Sequence, residues 1–130
     1  MPDSVRTGAV TVLVVYESDT VRRALRSALM PAGLDVIEAS SLGEAQSAID
    51  AGGIGLLVVD VQRPTTDGVA LAGDFRSRPG LETIPIVLLT PDWRARDRGL
   101  AAAAGVSACL VKPVPPSVVK QTVLDLLGMA

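Results

Sequence analysis

The sequence predicts an α/β protein, a doubly wound parallel sheet of five strands with helices on both faces. Five short apolar runs recur along the chain, and segments with helical periodicity lie between them. Such alternation is typical of βαβ units, which place parallel strands in one sheet and helices on its faces. Aromatic residues make up only 2% of the chain, so Val, Ile, Leu and Ala must fill the core.

The five apolar runs differ in pattern. Runs 11–16, 54–59 and 84–89 are nearly continuous in Val, Leu and Ile, which predicts strands that are covered on both faces. Run 34–38 alternates between apolar and polar residues, as expected of an edge strand. The last predicted strand is the short run 107–111.

The segments between these runs have the periodicity of amphipathic helices. The predicted helices are 19–32, 42–51, 67–77, 92–104 and 116–128. Asp19 is predicted to be the N-cap of the first helix. Arg22, Arg23 and Arg26 are predicted to lie on the water-facing side of that helix.

Length and composition bound the function. The chain of 130 residues suits one domain, which we predict at 10–130 behind an N-terminal extension at 1–9. A net charge of −2 with three aromatic residues argues against direct nucleic-acid binding. The apolar runs are much shorter than the roughly 20 residues of a membrane span, and no signal-peptide pattern begins the chain. We therefore expect a cytoplasmic protein that does not enter a membrane.

The amino-acid composition excludes several kinds of catalytic and metal sites. The chain has no histidine, which excludes histidine-based nucleophile activation and histidine-rich zinc sites. Its one cysteine, Cys109, has no internal disulfide partner. Carboxylates, hydroxyls, lysines and backbone groups must carry whatever chemistry there is.

Polar residues follow the buried strands at the edge where open parallel sheets bind their ligands. They are Tyr16, Glu17, Asp60, Thr90 and Lys112. Carboxylates can hold Mg²⁺, and a carboxylate can also attack phosphorus to form an acyl phosphate. A hydroxyl and an ammonium can bind phosphoryl oxygens. This set predicts a small site that combines cation binding with anion binding.

The motifs that carry these residues resemble those of response-regulator receiver domains. They are VLVVYE at 12–17, VVDVQRPTTDG at 58–68, VLLT at 87–90 and LVKP at 110–113. The resemblance covers about residues 10–128 and holds four motifs in the family's order. It implies the flavodoxin-like receiver fold, with strand order 2-1-3-4-5.

The resemblance also implies roles for single residues. Asp60 would accept a phosphoryl group from a histidine kinase or a phosphotransfer protein. Glu17, Asp60 and the backbone carbonyl of Gln62 would hold Mg²⁺. Thr90 and Lys112 would sense the phosphate, and the peptide bond before Pro113 would be cis. A homodimer would form through helix 92–104, strand 107–111 and helix 116–128.

Several positions depart from the family pattern. Tyr16 stands where the family usually has an aspartate, and Glu17 replaces a second one. Pro91 has no N–H to offer phosphoryl oxygens. Cys109 stands where the family has a switching aromatic ring, and it is too small to replace that ring. These departures predict weakened or absent Mg²⁺ binding and impaired phosphate handling.

Two functions remain open from the sequence, with a third rejected. The first is a receiver with an impaired phosphoacceptor, which would catalyse at most its own phosphotransfer and dephosphorylation. The second is a pseudo-receiver that serves as a protein interaction module without phosphorylation, its conformation set by binding or dimerisation. Separately, Asp60 and Lys112 could form a structural ion pair, and Tyr16 could plug the site. A nucleotide- or flavin-binding domain is rejected, because no glycine-rich phosphate loop follows a strand.

Overall fold

Five short strands rich in Val, Leu and Ile form one parallel sheet in the computed structural model, which describes residues 9–60, 68–91 and 105–129. The strands are β1 (Thr11–Val15), β2 (Asp35–Ala39), β3 (Leu56–Asp60), β4 (Ile86–Thr90) and β5 (Ala108–Val111). Their order is β2-β1-β3-β4-β5 and every pairing is parallel. The predicted fold class and strand order are confirmed.

The register of the sheet brings the carboxyl ends of the strands to one edge. Val15 at the end of β1 is paired with Ala39 of β2 and Val59 of β3. Asp60 is paired with Leu89, one residue before the end of β4. Polar residues at these strand ends therefore lie along the same edge.

Four α-helices lie within the described residues. They are α1 (Asp19–Leu29), α2 (Leu42–Ala51), α3 (Gly68–Ser77) and α4 (Pro116–Leu127). The predicted helix at 92–104 falls outside the described residues, as do residues 1–8 of the predicted N-terminal extension. No helix in the described ranges is long and apolar enough to cross a membrane.

The first helix begins at Asp19 as predicted, but its N-cap residue and its C-terminal end differ from the prediction. Its N-cap is Ser18, whose hydroxyl accepts a hydrogen bond from Val21 N at 3.2 Å. The prediction of Asp19 as N-cap was wrong, because the helix begins at Asp19 and its carboxylate pairs with Arg22. The α-helix ends at Leu29 and passes into a 3-10 turn over Met30–Ala32. Pro31 within that turn has no N–H with which to continue the α-helix.

The sheet is covered on both faces, as the continuous apolar runs predicted. Alternate residues of the central strands, such as Leu13 and Leu57, face one core shared with α2 and α3. Their neighbours, such as Val14 and Val58, face a second core shared with α1 and α4. The edge strand β2 is only partly buried. The two cores lie on the faces of the sheet, and the polar residues lie at the carboxyl ends of its strands.

Candidate functional site

The predicted site residues sit at the ends of four strands. Tyr16 and Glu17 follow β1, and Lys112 follows β5. Asp60 and Thr90 are the last residues of β3 and β4 and are buried. The strand ladder extends into this region, because Lys112 N donates to Thr90 O at 2.7 Å.

An ion pair between Lys112 and Asp60 is the centre of the site. The ammonium of Lys112 donates to Oδ1 of the Asp60 carboxylate. The Asp60 side chain is 0% exposed and the Lys112 side chain is 14% exposed. The second carboxylate oxygen, Oδ2, is buried and has no hydrogen-bond partner among the described residues. An orphaned, buried acceptor of this kind is unusual in native proteins and marks a position where a ligand would complete the bonding.

Burial dominates the electrostatics of Asp60. It raises the pKa of this carboxyl above its ordinary value of 3.8, because the charged form loses its hydration. The hydrogen bond and the positive charge of Lys112 act in the opposite direction, and the negative charge of Glu17 raises the pKa further. Glu17 therefore lies close enough for its charge to act on Asp60, although its own side chain is exposed.

Tyr16 covers the ammonium of the ion pair. The Nζ atom of Lys112 lies 5.2 Å from the centroid of the Tyr16 ring, within the range of a cation–π interaction. The Tyr16 side chain also packs against the core shared with α1 and α4. Burial, followed by the charge of Asp60, raises the pKa of the Tyr16 phenol, whereas Lys112 lowers it. The charges of both Asp60 and Lys112 thus act on the Tyr16 phenol, as expected of a side chain that lies over the ion pair.

Tyr16 also lines an apolar pocket of about 140 Å³. Its walls come from α1, the end of β4 and the start of α4, with Leu25, Leu89 and Val119 among the lining residues.

The other atypical site positions, Pro91 and Cys109, and the peptide bond before Pro113 lie within the described residues. Pro91 is exposed directly after Thr90, so the position after the buried hydroxyl offers no N–H. Cys109 is paired with Leu88 and packs against the core shared with α2 and α3. The peptide bond between Lys112 and Pro113 is cis, the isomer that the resemblance implied.

The donor set for a divalent cation is small. The described residues contain no cluster of three or more Asp, Glu, His or Cys side chains that could hold a metal ion. Mg²⁺ is often held by only one or two carboxylates together with waters and phosphate oxygens. The free Oδ2 of Asp60 and the nearby charge of Glu17 fit that mode of binding. Gln62, the third predicted ligand, lies outside the described residues.

One residue in this region was not predicted. The sequence pattern directed Arg22 to water, but its side chain is only 12% exposed. Its guanidinium bonds the backbone carbonyls of Tyr16 and Glu17, at 2.7 and 3.1 Å. The prediction was wrong because a side chain of this length folds back over the helix start. The neighbouring acids Asp19 and Glu38, both paired with Arg22, were the available signal.

The fold and the polar strand ends define a receiver-type α/β domain, and comparison with known proteins gives its family. The model of the response regulator receiver domain matches residues 12–124. The chain belongs to this family and is a receiver domain of two-component signalling.

Individual relatives agree with this assignment. The chain is 34% identical to the chemotaxis protein CheY1 of Helicobacter pylori over 119 residues, which cover 90% of this chain and 96% of that protein. It is 32% identical to a CheY homologue of Campylobacter jejuni, with 90% and 92% covered.

Solved structures agree as well. The signal receiver domain of a histidine kinase from Syntrophus aciditrophicus is 29% identical, with a TM-score of 0.81 and 92% of this chain and 91% of that chain covered. CheY4 of Vibrio cholerae, 24% identical, has a TM-score of 0.84 over 92% of this chain and 99% of its own, which supports the fold alone.

Proposed function

We propose that Asp60 accepts a phosphoryl group from the phosphohistidine of a histidine kinase or a phosphotransfer protein. The observation that carries the proposal is the asymmetry of its carboxylate, which has Lys112 on Oδ1 and a buried Oδ2 without a partner among the described residues. Receiver domains as a family interact with such phosphodonors, and the chain belongs to that family.

The chemistry follows from this asymmetry. The free Oδ2 attacks the phosphorus of the donor, a P–O bond forms, and the P–N bond to the imidazole breaks. The electron pair leaves with the imidazole, which takes up a proton, and Asp60 becomes an acyl phosphate. The ammonium of Lys112 remains in place to balance the negative charge that builds up on the phosphoryl oxygens. Thr90, buried at the neighbouring strand end, is the candidate hydroxyl donor to one of them.

Mg²⁺ would be held by Asp60 and Glu17, with the Gln62 carbonyl expected as a third ligand. When bound, the cation supplies positive charge that offsets the phosphoryl oxygens. Tyr16 occupies the position from which a further carboxylate would come, so we expect this binding to be weak. Glu17, which is exposed, is also longer by one methylene than the aspartate usual at this position, and Mg²⁺ demands ligands at about 2.0–2.1 Å in near-octahedral geometry.

Phosphate handling is proposed to be impaired as well. A hydrogen bond to a charged group contributes about 1.5–3 kcal/mol, and Pro91 cannot donate one. Cys109 packs as a small core residue, which supports a readout that does not use an aromatic switch at this position.

The same proposal sets the protein's wider role. It catalyses at most its own phosphotransfer and dephosphorylation. It works in the cytoplasm through protein partners and does not bind nucleic acid directly. A homodimer through 92–104, β5 and α4 remains a prediction, since residues 92–104 lie outside the described part of the chain.

A second candidate function is a receiver that acts without phosphorylation. The observation that favours it is Tyr16 above Lys112, because the ammonium then has an anion and an aromatic ring as partners without any phosphate. Binding of a partner protein, instead of phosphorylation, would then set the conformation.

Intact mass spectrometry distinguishes the two functions. The chain is incubated with a small phosphodonor at increasing Mg²⁺ concentrations, beside Asp60→Asn and a surface control, Asp125→Asn. The phosphoacceptor function predicts a gain of one phosphoryl group in the wild type and in Asp125→Asn, and none in Asp60→Asn. No gain at any Mg²⁺ concentration would overturn it in favour of the interaction module.

A further inference from the structure

Arg22 joins three separate parts of the chain beside the site. Its Nη1 atom donates to Tyr16 O at 2.7 Å and to Glu17 O at 3.1 Å. Its Nε atom donates to Glu38 Oε1 at 3.2 Å, and its Nη2 atom pairs with Asp19. A single planar guanidinium therefore connects α1, the end of β2 and the loop after β1.

The guanidinium is held firmly enough to act as a fixed support. The Arg22 side chain is 12% exposed, and Glu38 on β2 also pairs with Arg26 at 3.5 Å. The backbone of the loop is tied to the sheet as well, since Tyr16 N donates to Ala39 O at 3.0 Å. The fork of an arginine can serve several acceptors at once, whereas the ammonium of a lysine acts as a point charge.

The two carbonyls bound by Arg22 belong to Tyr16 and Glu17, which follow β1 at the edge of the site. Tyr16 covers Lys112, and the charge of Glu17 acts on Asp60. A bond to each carbonyl fixes the peptide planes from which these side chains leave the backbone. We propose that Arg22 is a positioning residue, which holds the loop after β1 so that the Tyr16 ring covers Lys112 and the Glu17 carboxylate is directed toward Asp60.

This inference goes further than the proposed phosphoacceptor function and rests on it only for the role of Glu17. Partners that orient a metal ligand typically change metal affinity by about 10–100-fold when they are removed. The covering of Lys112 by Tyr16 is a property of the protein without metal or phosphate. The two parts can therefore be measured separately.

The first measurement uses the chain's one tyrosine. Protein labelled with 3-fluorotyrosine gives a single fluorine resonance, which reports on the surroundings of the Tyr16 ring in metal-free buffer. Arg22→Gln is expected to shift or broaden this resonance. Arg23→Gln, at the exposed neighbour on the same helix, is expected to leave it unchanged. Far-ultraviolet circular dichroism at the same temperature shows that each variant is folded.

The second measurement is the Mg²⁺ concentration that gives half of the maximal phosphorylation rate. Arg22→Gln is expected to raise it about tenfold, and Arg23→Gln is expected not to change it. If Arg22→Gln does not fold, Arg22→Lys and Glu38→Gln replace it, because the first loses the fork and the second loses its anchor. Arg22→Lys and Glu38→Gln are each expected to shift or broaden the Tyr16 resonance relative to the wild type.

The outcomes separate the two proposals. An unchanged resonance and an unchanged Mg²⁺ requirement in folded Arg22 variants would overturn the positioning role, whatever the wild type does with phosphate. A wild type that takes up no phosphoryl group, beside a resonance that moves in Arg22→Gln, would overturn the phosphoacceptor function and support the positioning of Tyr16.

Discussion

Lys112 and Asp60 form an ion pair in which the carboxylate is fully buried and only one of its two oxygens is bonded to the lysine. A pair that served structure alone would be expected to satisfy both oxygens, because an unmade hydrogen bond in the interior is costly. The same pair is covered by Tyr16, which occupies a position where the receiver family usually has an acid. The site thus combines an available acceptor oxygen on Asp60 with an aromatic ring that covers Lys112.

Replacement of Lys112 should lower stability, because the buried carboxylate of Asp60 then has no positive partner among the described residues. Lys112→Met leaves an uncompensated buried charge and is expected to lower the free energy of unfolding at neutral pH by about 3 kcal/mol. The double variant Lys112→Met with Asp60→Asn should recover most of that loss, because the charge is then gone. Urea denaturation of the four proteins in the cycle measures the coupling. Additive effects of the two substitutions would contradict the ion pair.

The raised pKa of Asp60 predicts how stability depends on pH. The folded state holds the Asp60 proton more tightly than the unfolded state, whose pKa is near 3.8. Stability therefore falls as pH rises from about that value through the folded pKa, and the contribution is constant above it. Asp60→Asn has no titrating carboxyl at this position. The free energy of unfolding of Asp60→Asn minus that of the wild type should therefore increase as the pH rises through this window. If this difference in the free energy of unfolding decreases with rising pH, the pKa of Asp60 is not raised in the folded protein.

The phenol of Tyr16 can be titrated without interference, because it is the chain's one tyrosine. Its pKa is raised above 10.0 by burial and by the charge of Asp60, and Lys112 lowers it. Absorbance of the tyrosinate is expected to appear at lower pH in Asp60→Asn and at higher pH in Lys112→Met. The denatured wild type supplies the reference. Equal shifts in both variants would mean that the phenol does not face the ion pair.

Replacement of the plug should improve cation binding. Tyr16→Asp adds a carboxylate beside Glu17 and is expected to tighten Mg²⁺ binding about tenfold, which corresponds to about 1.4 kcal/mol. Adding Pro91→Ala restores an N–H after Thr90 and should raise the fraction of phosphorylated protein at a given donor concentration. Thr20→Asp, which adds the same charge on an exposed neighbour, is the control for calorimetric titration. Equal Mg²⁺ affinity in Tyr16→Asp and Thr20→Asp would refute the role given to Tyr16.

Much of the fold could be predicted from local pattern. The continuous apolar runs of β1, β3 and β4 indicate burial on both faces, and the structure has two cores on the two faces of the sheet. The alternating run of β2 identifies an edge strand, and β2 lies at the edge. Because parallel strands end at one edge, the proximity of Asp60 and Lys112 also followed from the sequence.

Contacts that depend on side-chain reach could not be predicted in the same way. Helical periodicity assigns Arg22 to the outer face of α1, but it carries no information on a guanidinium that turns back to the carbonyls of the preceding loop. Ser18 and Asp19 are both good N-caps by residue type, and the ion pair of Asp19 with Arg22 left the cap to Ser18. Where two adjacent residues are both favourable N-caps, residue preferences alone do not decide which of them caps the helix.

The central claim is that the free oxygen of Asp60 is the phosphoryl acceptor, and the most direct measurement is chemical trapping at that residue. The chain is treated with a small phosphodonor and Mg²⁺, reduced with borohydride, which converts an aspartyl phosphate to homoserine, and mapped by peptide mass spectrometry. Homoserine at position 60, absent without the donor, is the predicted result. Homoserine at another aspartate, or none after exhaustive treatment with the donor, would contradict the claim.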